Sequence, residues 1–188
     1  MDIFAFLLLQ IINGRNWNPE FGQSKEYKNW IAVLDIKTCI ECRIRHGAIW
    51  LITEEPKKQP PLHPNCRCVI IPMKTVKAGT ATINGINGAD WSLKYDKKLP
   101  GYYITKEKII ANGWRQGKLV SDYTDGKMVF GGRYYNSNNH LPQTHKRIWY
   151  EADINYVSGK RNSQRILFSD DGLIFVTFDH YQTFFEIV

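Results

Sequence analysis

Cysteine is absent from the last 120 residues of this 188-residue chain, since all four cysteines fall between Cys39 and Cys68. This asymmetry argues against a uniform chain and predicts two modules of different construction. At this length, one full domain and a smaller one can bury cores, given 43% hydrophobic residues. Charged residues make up 23% and aromatic residues 13%, which is typical of a globular protein and argues against disorder.

No apolar run is long enough to cross a membrane. The start, MDIFAFLLLQII, is apolar from Ile3 to Leu9 and again at 11–12, whereas a spanning helix needs roughly twenty apolar residues. It has an acidic Asp2 where a secretory leader would be basic, and it offers no small-residue cleavage pattern, so there is no clear signal peptide. We interpret this stretch as a buried helix or as the remnant of a longer parent protein, and we expect no membrane partner.

The chain also lacks a long basic tail, although its net charge is +7. Residues 1–95 carry 12 Lys and Arg against 8 Asp and Glu, and residues 96–188 carry 13 against 10. A positive balance of this size favours an anionic partner. Because the excess is spread along the chain, any anion site must be local.

The composition changes twice along the chain. Residues 1–73 hold the cysteines and the proline-rich run EEPKKQPPLHPNCRC, whose prolines remove donors and oppose helix, and they are predicted to form a small, irregular, cysteine-containing module. Residues 74–95 are rich in Gly, Thr and Asn without strong periodicity, and are predicted to be a linker. The second module is predicted over residues 96–188.

A short helix followed by several strands is predicted for the second module. In ITKEKIIANGW, Thr105 can cap the helix and Asn112-Gly113 can end it. Short β-branched and aromatic runs follow, with hairpin connections expected at Ser169–Gly172 and Asp179–Gln182. The predicted class is α+β, with one or more short N-terminal helices packed on a multi-stranded antiparallel sheet.

The predicted strand around Glu151 alternates between two kinds of side chain. Because successive residues of a strand point to opposite faces, one face is expected to pack on the core and the other to be polar. The first face holds Ile148, Tyr150, Ala152, Ile154 and Tyr156, and the second holds Trp149, Glu151, Asp153 and Asn155. A polar face of this kind, opposite two arginines and a turn histidine, can form a cleft.

The residues around this strand suit chemistry on a phosphodiester. Arg161 and Arg165 carry planar forks that match phosphate oxygens, and Asp153 can orient them. Glu151 can act as a base, and the imidazole of His180 can act as an acid. Such a set suits attack by a ribose 2′-hydroxyl on the adjacent phosphate, without a metal cofactor and without action on DNA.

A structural interpretation of the same residues stays open from spacing alone. Acid–arginine pairs on neighbouring strands are mostly solvated ion pairs that contribute little. A histidine at a turn is more often a surface residue than a catalyst.

Three stretches resemble the barnase family of microbial guanyl-specific ribonucleases: KLPGYYITKEKIIANGW, MVFGGRYYN…HLP and WYEADINYVSGKRNSQRILFSDDGLIFVTFDHYQTFFEI. The similarity runs with one small gap from about Lys98 to Ile187. It implies an endoribonuclease that cleaves single-stranded RNA through a 2′,3′-cyclic phosphate.

The resemblance also implies a role for each matching residue. Glu151 would be the general base and His180 the general acid, while Arg161 and Arg165 bind phosphate. Lys106 matches a lysine that stabilises the charged transition state. Asp153 matches a buried acid that holds the arginines, and Tyr181 matches a ring that stacks on a base.

The sequence departs from this family in two places. The loop after the Gly-Gly strand is one residue shorter and has no acid between Arg133 and Pro142, where the family carries a guanine-reading glutamate. The family's first long helix has no clear counterpart, since INGINGADWSLKYDKK is broken by glycines. Guanine preference is therefore not implied, and stacking and backbone contacts to a base are left to Tyr135, Asn136, Ser137 and Asn138.

The cysteines lie in a CxxC, Cys39 and Cys42, and a CxC, Cys66 and Cys68, with His63 just upstream. Two cysteine pairs about two dozen residues apart match the layout of a structural zinc site, but a reduced or disulfide-bonded cluster is the alternative. The segment from about Trp30 to Pro72, with its TCIEC and PPLHPNCRC motifs, resembles the C-terminal part of phage Mu-type head-morphogenesis proteins. This second resemblance implies a phage-derived segment.

We therefore predict a bacterial polymorphic toxin, in which a phage-derived segment is fused to a ribonuclease that is exported or delivered to act on RNA in a target cytoplasm. The ribonuclease resemblance implies an acidic, barstar-like immunity protein as its partner. The alternatives are an inactive head-assembly protein that only binds RNA or a partner, and a zinc-dependent interaction module. A base and an acid together favour the enzyme, because a binding module needs neither.

Overall fold

A computed structural model describes residues 17–188 of the chain. The apolar start, interpreted above as a buried helix or a remnant, lies outside the described residues. Within residues 17–188, no helix has both the length and the apolar character needed to cross a bilayer.

The described residues form an α+β fold with short helices and one large sheet, so the predicted class is confirmed. The strands and helices in chain order are β1 (Phe21–Ile31), α1 (Ile40–Arg45), β2 (Ile49–Leu51), β3 (Val69–Val76), α2 (Ala89–Tyr95), β4 (Tyr103–Thr105), α3 (Lys106–Ala111), β5 (Met128–Tyr134), β6 (Trp149–Asp153), β7 (Arg165–Ser169), β8 (Ile174–Thr177) and β9 (Phe185–Ile187). Short 3-10 turns cover Gly85–Asn87 and Ser121–Tyr123.

The nine described strands belong to one sheet in the order β2-β1-β3-β9-β8-β7-β6-β5-β4. Of the eight pairings between neighbouring strands, β3 with β9 and β4 with β5 are parallel, and the other six are antiparallel. The sheet is therefore mixed, which corrects the predicted antiparallel sheet. The β4–β5 pair is parallel because the chain between these strands crosses over through α3.

The cysteine-containing module was predicted to be irregular, and this prediction is wrong. The module is built on the three strands β1, β2 and β3. β1 is eleven residues long and lies between β2 and β3. Its β-branched and aromatic residues, and those of the run VIIPMKTV in β3, favour strands. The proline-rich connection between β2 and β3 is the module's longest described stretch without a helix or strand. Through β3 and β9 the module extends the sheet of the second module.

The range 74–95, predicted as a linker, contains the end of β3 and all of α2. Ala89 and Leu93 of α2 are buried in the core. The Asp90 carboxylate accepts hydrogen bonds from the Gly79 and Ala81 amides at 2.7 and 2.9 Å, and burial raises the pKa of this acid. The helix α2 therefore lies in the segment for which the sequence predicted no clear counterpart of the family's first helix. The domain boundaries stay a prediction.

The local predictions for the second module agree with the structure. Thr105 caps α3, since its hydroxyl accepts a hydrogen bond from the Lys108 amide at 3.2 Å, and the helix ends before Asn112-Gly113. β7 and β8 pair antiparallel around the turn at Ser169–Gly172, and β8 and β9 pair antiparallel around Asp179–Gln182. These turns set the strand order of the sheet around Glu151.

Both faces of the sheet carry an apolar core. Ala152 and Ile154 pack with α2 on one face. Trp149, on the face predicted to be polar, is 1% exposed and packs with Tyr27 and Met73 of the first module. The face that carries Glu151 is therefore partly covered by the N-terminal module, and only part of it is polar.

Candidate active site

A glycine bulge makes room for the carboxylate of Glu151. The register of β5 against β6 shifts between Phe130 and Gly132, so Gly131 is an extra residue beside Glu151. A Cβ at Gly131 would lie 2.7 Å from Glu151 Oε1. The Gly-Gly pair of the sequence thus leaves the half-buried carboxylate a free approach that any side chain would close.

Asp153 holds both arginines. Its carboxylate is completely buried and accepts hydrogen bonds from Arg161 Nε at 2.9 Å and Arg161 Nη2 at 2.5 Å. Arg165 Nε lies 3.1 Å from Asp153 Oδ1, as an ion pair without hydrogen-bond alignment. Burial opposes the charge of Arg161, but the hydrogen bonds and charge of Asp153 raise its pKa above the ordinary value. A buried acid between two guanidinium groups fixes their positions and leaves net positive charge beside Glu151.

Tyr181 joins the hairpin of His180 to Glu151. The Tyr181 hydroxyl donates to Glu151 Oε2 at 2.6 Å. Burial, together with this hydrogen bond and the carboxylate charge, raises the pKa of Tyr181 well above its usual value. The bond engages one carboxylate oxygen, so the other is available to a substrate hydroxyl.

His180 is exposed at the tip of this hairpin, next to Tyr181 in the chain. His180 and Tyr181 have φ of 59° and 67°, the left-handed region that non-glycine residues rarely adopt. Asp179 stabilises the turn, because its carboxylate accepts hydrogen bonds from the Thr183 amide and hydroxyl at 2.9 and 2.6 Å. The strained tip presents the imidazole to solvent, with its ring centre 4.9 Å from that of Tyr181.

Tyr134, at the end of β5, belongs to the same site and was not predicted. Its ring stacks on that of Tyr181, with centroids 5.5 Å apart and an interplanar angle of 17°. Burial, with a further contribution from the charge of Glu151, raises the pKa of Tyr134 to about 12. The YY pair after the Gly-Gly bulge was visible in the sequence, but only the pairing of β5 with β6 shows which tyrosine faces Glu151.

Lys106 is the first residue of α3 and is exposed. It directly follows β4, whose last residue, Thr105, pairs with Phe130 beside the bulge of β5. Its ammonium group forms no ion pair with a described residue. The lysine is thus a free cation two strands away from β6.

The loop after β5 is braced by one of its own predicted contact residues. The Asn136 amide donates to the Leu141 carbonyl at 2.9 Å and accepts from the Leu141 amide at 3.0 Å, and the side chain is 4% exposed. Asn136 can therefore offer a base only its backbone. Tyr135 is 76% exposed, with Arg133 5.3 Å from its ring centre, and Asn138 is exposed as well.

His140 connects this loop to the first module and was not predicted. Its Nδ1 lies 3.0 Å from the Asn138 amide nitrogen. Burial lowers the pKa of His140, and hydrogen bonds with the backbone of Ile44 and Tyr181 offset part of this decrease. Gly47, just after α1, lies close to the same place: a Cβ there would be 2.7 Å from the Gln182 carbonyl oxygen. The N-terminal module thus contacts both the loop after β5 and the His180 hairpin.

The four cysteines and His63 form two groups of three that share Cys42, and all four cysteines are free thiols. His63 Nε2 lies 3.2 Å from Cys39 Sγ and 3.3 Å from Cys42 Sγ. Cys42 Sγ lies 3.7 Å from Cys66 Sγ, and the ligand atoms of Cys42, Cys66 and Cys68 lie within 4.8 Å of one another. The disulfide alternative is absent from this structure, and His63 is a fifth candidate ligand that the predicted four-cysteine set omitted.

The donor set fits a soft tetrahedral metal such as zinc. His63 Nδ1 lies 2.8 Å from the Pro64 carbonyl, which fixes the ring so that Nε2 faces the sulfurs. Hydrogen bonds from the Leu62 and Cys68 backbones lower the pKa of Cys66 to about 7, which favours the thiolate that a metal binds. Cys39 also caps α1, because the Cys42 amide donates to its sulfur at 3.4 Å.

Comparison with known proteins matches the two parts of the chain to two different families. A family model described as "Phage Mu protein F like protein" matches residues 15–71, and one described as "ribonuclease" matches residues 90–188. A ribonuclease of Heyndrickxia coagulans is 45% identical over 109 residues, which are 57% of this chain and 99% of that protein. Ribonucleases of Bacillus intermedius and Bacillus pumilus are each 45% identical over 109 residues, which are 67% of those proteins.

Proposed function

Because the chain belongs to the ribonuclease family, we propose that it is a metal-independent endoribonuclease that cleaves single-stranded RNA by attack of a ribose 2′-hydroxyl on the adjacent phosphate. The observation that carries the proposal is the juxtaposition of the Glu151 carboxylate, bonded to Tyr181 in the His180 hairpin, with two arginines held by buried Asp153. A base, an acid and a phosphate clamp are the parts that this reaction requires.

The proposed reaction proceeds as a transesterification. Glu151 takes the proton of the 2′-hydroxyl while O2′ attacks phosphorus. The bond from phosphorus to the 5′-oxygen breaks as His180 gives its proton to that oxygen. The products are a 2′,3′-cyclic phosphate on one fragment and a free 5′-hydroxyl on the other. Arg161, Arg165 and Lys106 offset the negative charge that grows on the phosphoryl oxygens.

Product-end analysis tests the reaction. Purified protein is incubated with single-stranded RNA and with DNA of the same sequence, in EDTA and without added metal. We expect 2′,3′-cyclic phosphate and 5′-hydroxyl ends from RNA and no cleavage of DNA, which lacks the 2′-hydroxyl. No cleavage in EDTA, with 5′-phosphate ends that form only after Mg²⁺ is added, would instead indicate attack by metal-activated water. RNA that binds but is not cut would favour the inactive RNA-binding alternative.

Base preference follows from the braced loop. Since no acid lies between Arg133 and Pro142 and the Asn136 amide is engaged with Leu141, we propose that the loop reads bases weakly. Sequencing of limited digests should place cuts after several different bases. Strict cleavage after guanine would show that backbone groups of the loop suffice for guanine recognition.

We further propose that the protein is a bacterial toxin, carried by a phage-derived segment and delivered to a target cytoplasm. An active ribonuclease would degrade the RNA of its producer, so an acidic, barstar-like immunity protein is its expected partner. The positive charge of Arg161, Arg165 and Lys106 favours carboxylates that imitate phosphates.

Expression of the chain alone should stop growth, and an acidic neighbouring gene product should restore it. Normal growth with abundant soluble protein and no inhibitor would contradict the toxin proposal.

The cysteine cluster is proposed to hold one structural zinc ion. One group of donors holds Cys39, Cys42 and His63, and a second holds Cys42, Cys66 and Cys68. Because the two groups share Cys42, either His63 or Cys68 can complete a four-ligand set with Cys39, Cys42 and Cys66. Metal analysis should give one zinc per chain, and removal of zinc should lower the melting temperature. His63→Ala and Cys68→Ser then distinguish the two ligand sets by which one loses the metal. Full-length protein that purifies without metal and does not bind added zinc would exclude the site.

A further inference from the structure

A groove lies between the two modules, directly beside the loop after β5. It has a volume of about 950 Å³ and is lined on one side by the first module and on the other by Asn138 and Asn139. It therefore has walls from both modules and is a feature of the fused chain.

The first module contributes aromatic and cationic side chains to this groove. Trp50, half-buried in β2, lines it together with the exposed Ile44. Trp30 is completely buried beneath, with the guanidinium of Arg45 5.9 Å from its ring centre. An aromatic surface with a cation over a neighbouring ring is the arrangement on which unpaired bases stack.

The charge of the groove is positive. Arg45, Lys57 and Lys58 line it, and among the described residues the one acid that forms ion pairs with them is Glu41, at 3.2 Å from Arg45 and 2.7 Å from Lys58. Lys57 is exposed and has no ion pair with a described residue. Three cations against one acid leave positive charge for a polyanion.

Short contacts connect the groove with the catalytic carboxylate. Asn138, on the rim, lies 3.0 Å from the ring of His140, which contacts the backbone of Tyr181. The Tyr181 hydroxyl in turn bonds Glu151 at 2.6 Å. A strand that places its scissile phosphate at Glu151 can thus continue past the loop into the groove.

We propose that this groove is an additional binding subsite for single-stranded RNA, in which Trp50 stacks on a base and Lys57 contacts the backbone. The inference rests on the proposed ribonuclease activity and extends it: the N-terminal module lengthens the substrate site of the enzyme. The occupant is a nucleic acid strand, because aromatic, amide and cationic groups together suit bases joined by phosphates.

The test uses the full chain and two substrates with a single ribonucleotide each, a dinucleotide and a nonamer whose other positions are deoxyribose. Wild-type protein should cleave the nonamer with a kcat/KM about tenfold above that of the dinucleotide or more. Trp50→Ala should lower this ratio about tenfold, since stacking on one base is lost, whereas Trp50→Phe should retain it. Lys57→Gln should reduce the salt dependence of nonamer binding by a slope of roughly 0.7. Lys118→Gln, an exposed lysine elsewhere, is the matched control and should change neither quantity.

Binding of an all-deoxy nonamer, measured by fluorescence anisotropy, separates this proposal from the proposed activity. Protein that cleaves neither substrate would refute the ribonuclease proposal, while weaker nonamer binding by Trp50→Ala would still support the subsite. Equal kcat/KM for the two substrates, or equal nonamer affinity of wild type and both groove variants, would overturn the subsite. Equal affinities would favour a protein partner as the occupant of the groove. The dinucleotide rate of each variant reports whether its active site is folded.

Discussion

The two halves of the sheet differ in how their strands meet. In the ribonuclease half, β5 to β9 follow one another in chain order through antiparallel pairings. The N-terminal half joins this sheet in parallel, where Thr75 of β3 pairs with Glu186 of β9. Hairpin pairing is set by local turns, whereas the pairing of β3 with β9 depends on where the complete second module presents its edge.

The two modules share one sheet and one hydrophobic core, so they pack as one structural unit. β3 covers the β9 edge, which would otherwise present unpaired backbone groups. Trp149 and Phe175 of the ribonuclease half share a core with Tyr27 and Met73 of the N-terminal half. A site encoded by one half thus stands on a surface to which both contribute.

The largest effect should come from residues that belong to the ribonuclease half alone. Glu151→Ala and His180→Ala should each lower kcat/KM on RNA by at least about a hundredfold, because each removes one of the two proposed proton-transfer groups. The melting temperature of both variants should stay close to that of the wild type. Initial rates on a fluorogenic RNA measure the loss, and full activity in both variants would refute their assignment.

Asp153→Asn should reduce stability strongly and activity with it. The substitution keeps the shape of a side chain that is completely buried but leaves Arg161 and Arg165 without their anion. Breaking a buried ion pair by removing one partner costs about 3–5 kcal/mol. Urea unfolding measures the change in the free energy of unfolding. A loss below 1 kcal/mol would mean that the arginines are solvated and that Asp153 does not position them.

Gly47→Ala sharpens the comparison of the two halves, because Gly47 lies in the N-terminal module but touches the His180 hairpin. Its φ of 85° and the 2.7 Å approach of an added Cβ to the Gln182 carbonyl predict both backbone strain and displacement of the hairpin. We expect a loss of about 1–3 kcal/mol in stability and a several-fold loss of kcat.

Gly117→Ala is the control for this change. Gly117 has a φ of 90° but no atom within 4 Å of an added Cβ, so it carries the strain without the contact. It should lower stability by about 1 kcal/mol and leave kcat unchanged. Equal effects of the two variants on kcat would mean that the contact with Gln182 is irrelevant to the site.

The features that were predicted correctly from the sequence depend on local contacts, and the features that were missed depend on contacts between distant segments. The Thr105 cap and the hairpin at Ser169–Gly172 rest on local turn and capping chemistry, and both were predicted. The α2 helix was missed because its glycine-rich approach lowers helix propensity, while burial of Ala89 and Leu93 stabilises it.

The missed site residues depend on contacts between distant segments. Tyr134 faces Glu151 only because β5 pairs with β6 across the Gly131 bulge. His140 meets the backbone of Ile44 and Tyr181 only in the folded chain. No periodicity or spacing in the sequence carries these contacts, since each requires strands or loops far apart in the chain to be packed first.

The central claim, that Glu151 acts as the base and His180 as the acid, is tested most directly with an RNA whose 5′-bridging oxygen is replaced by sulfur at one cleavage site. A thiolate leaves without protonation, so the general acid becomes unnecessary while the 2′-hydroxyl still needs a base. We expect that His180→Ala cleaves this substrate within about tenfold of the wild-type rate, whereas Glu151→Ala keeps a loss of about a hundredfold. Equal defects of the two variants on the sulfur substrate would contradict it.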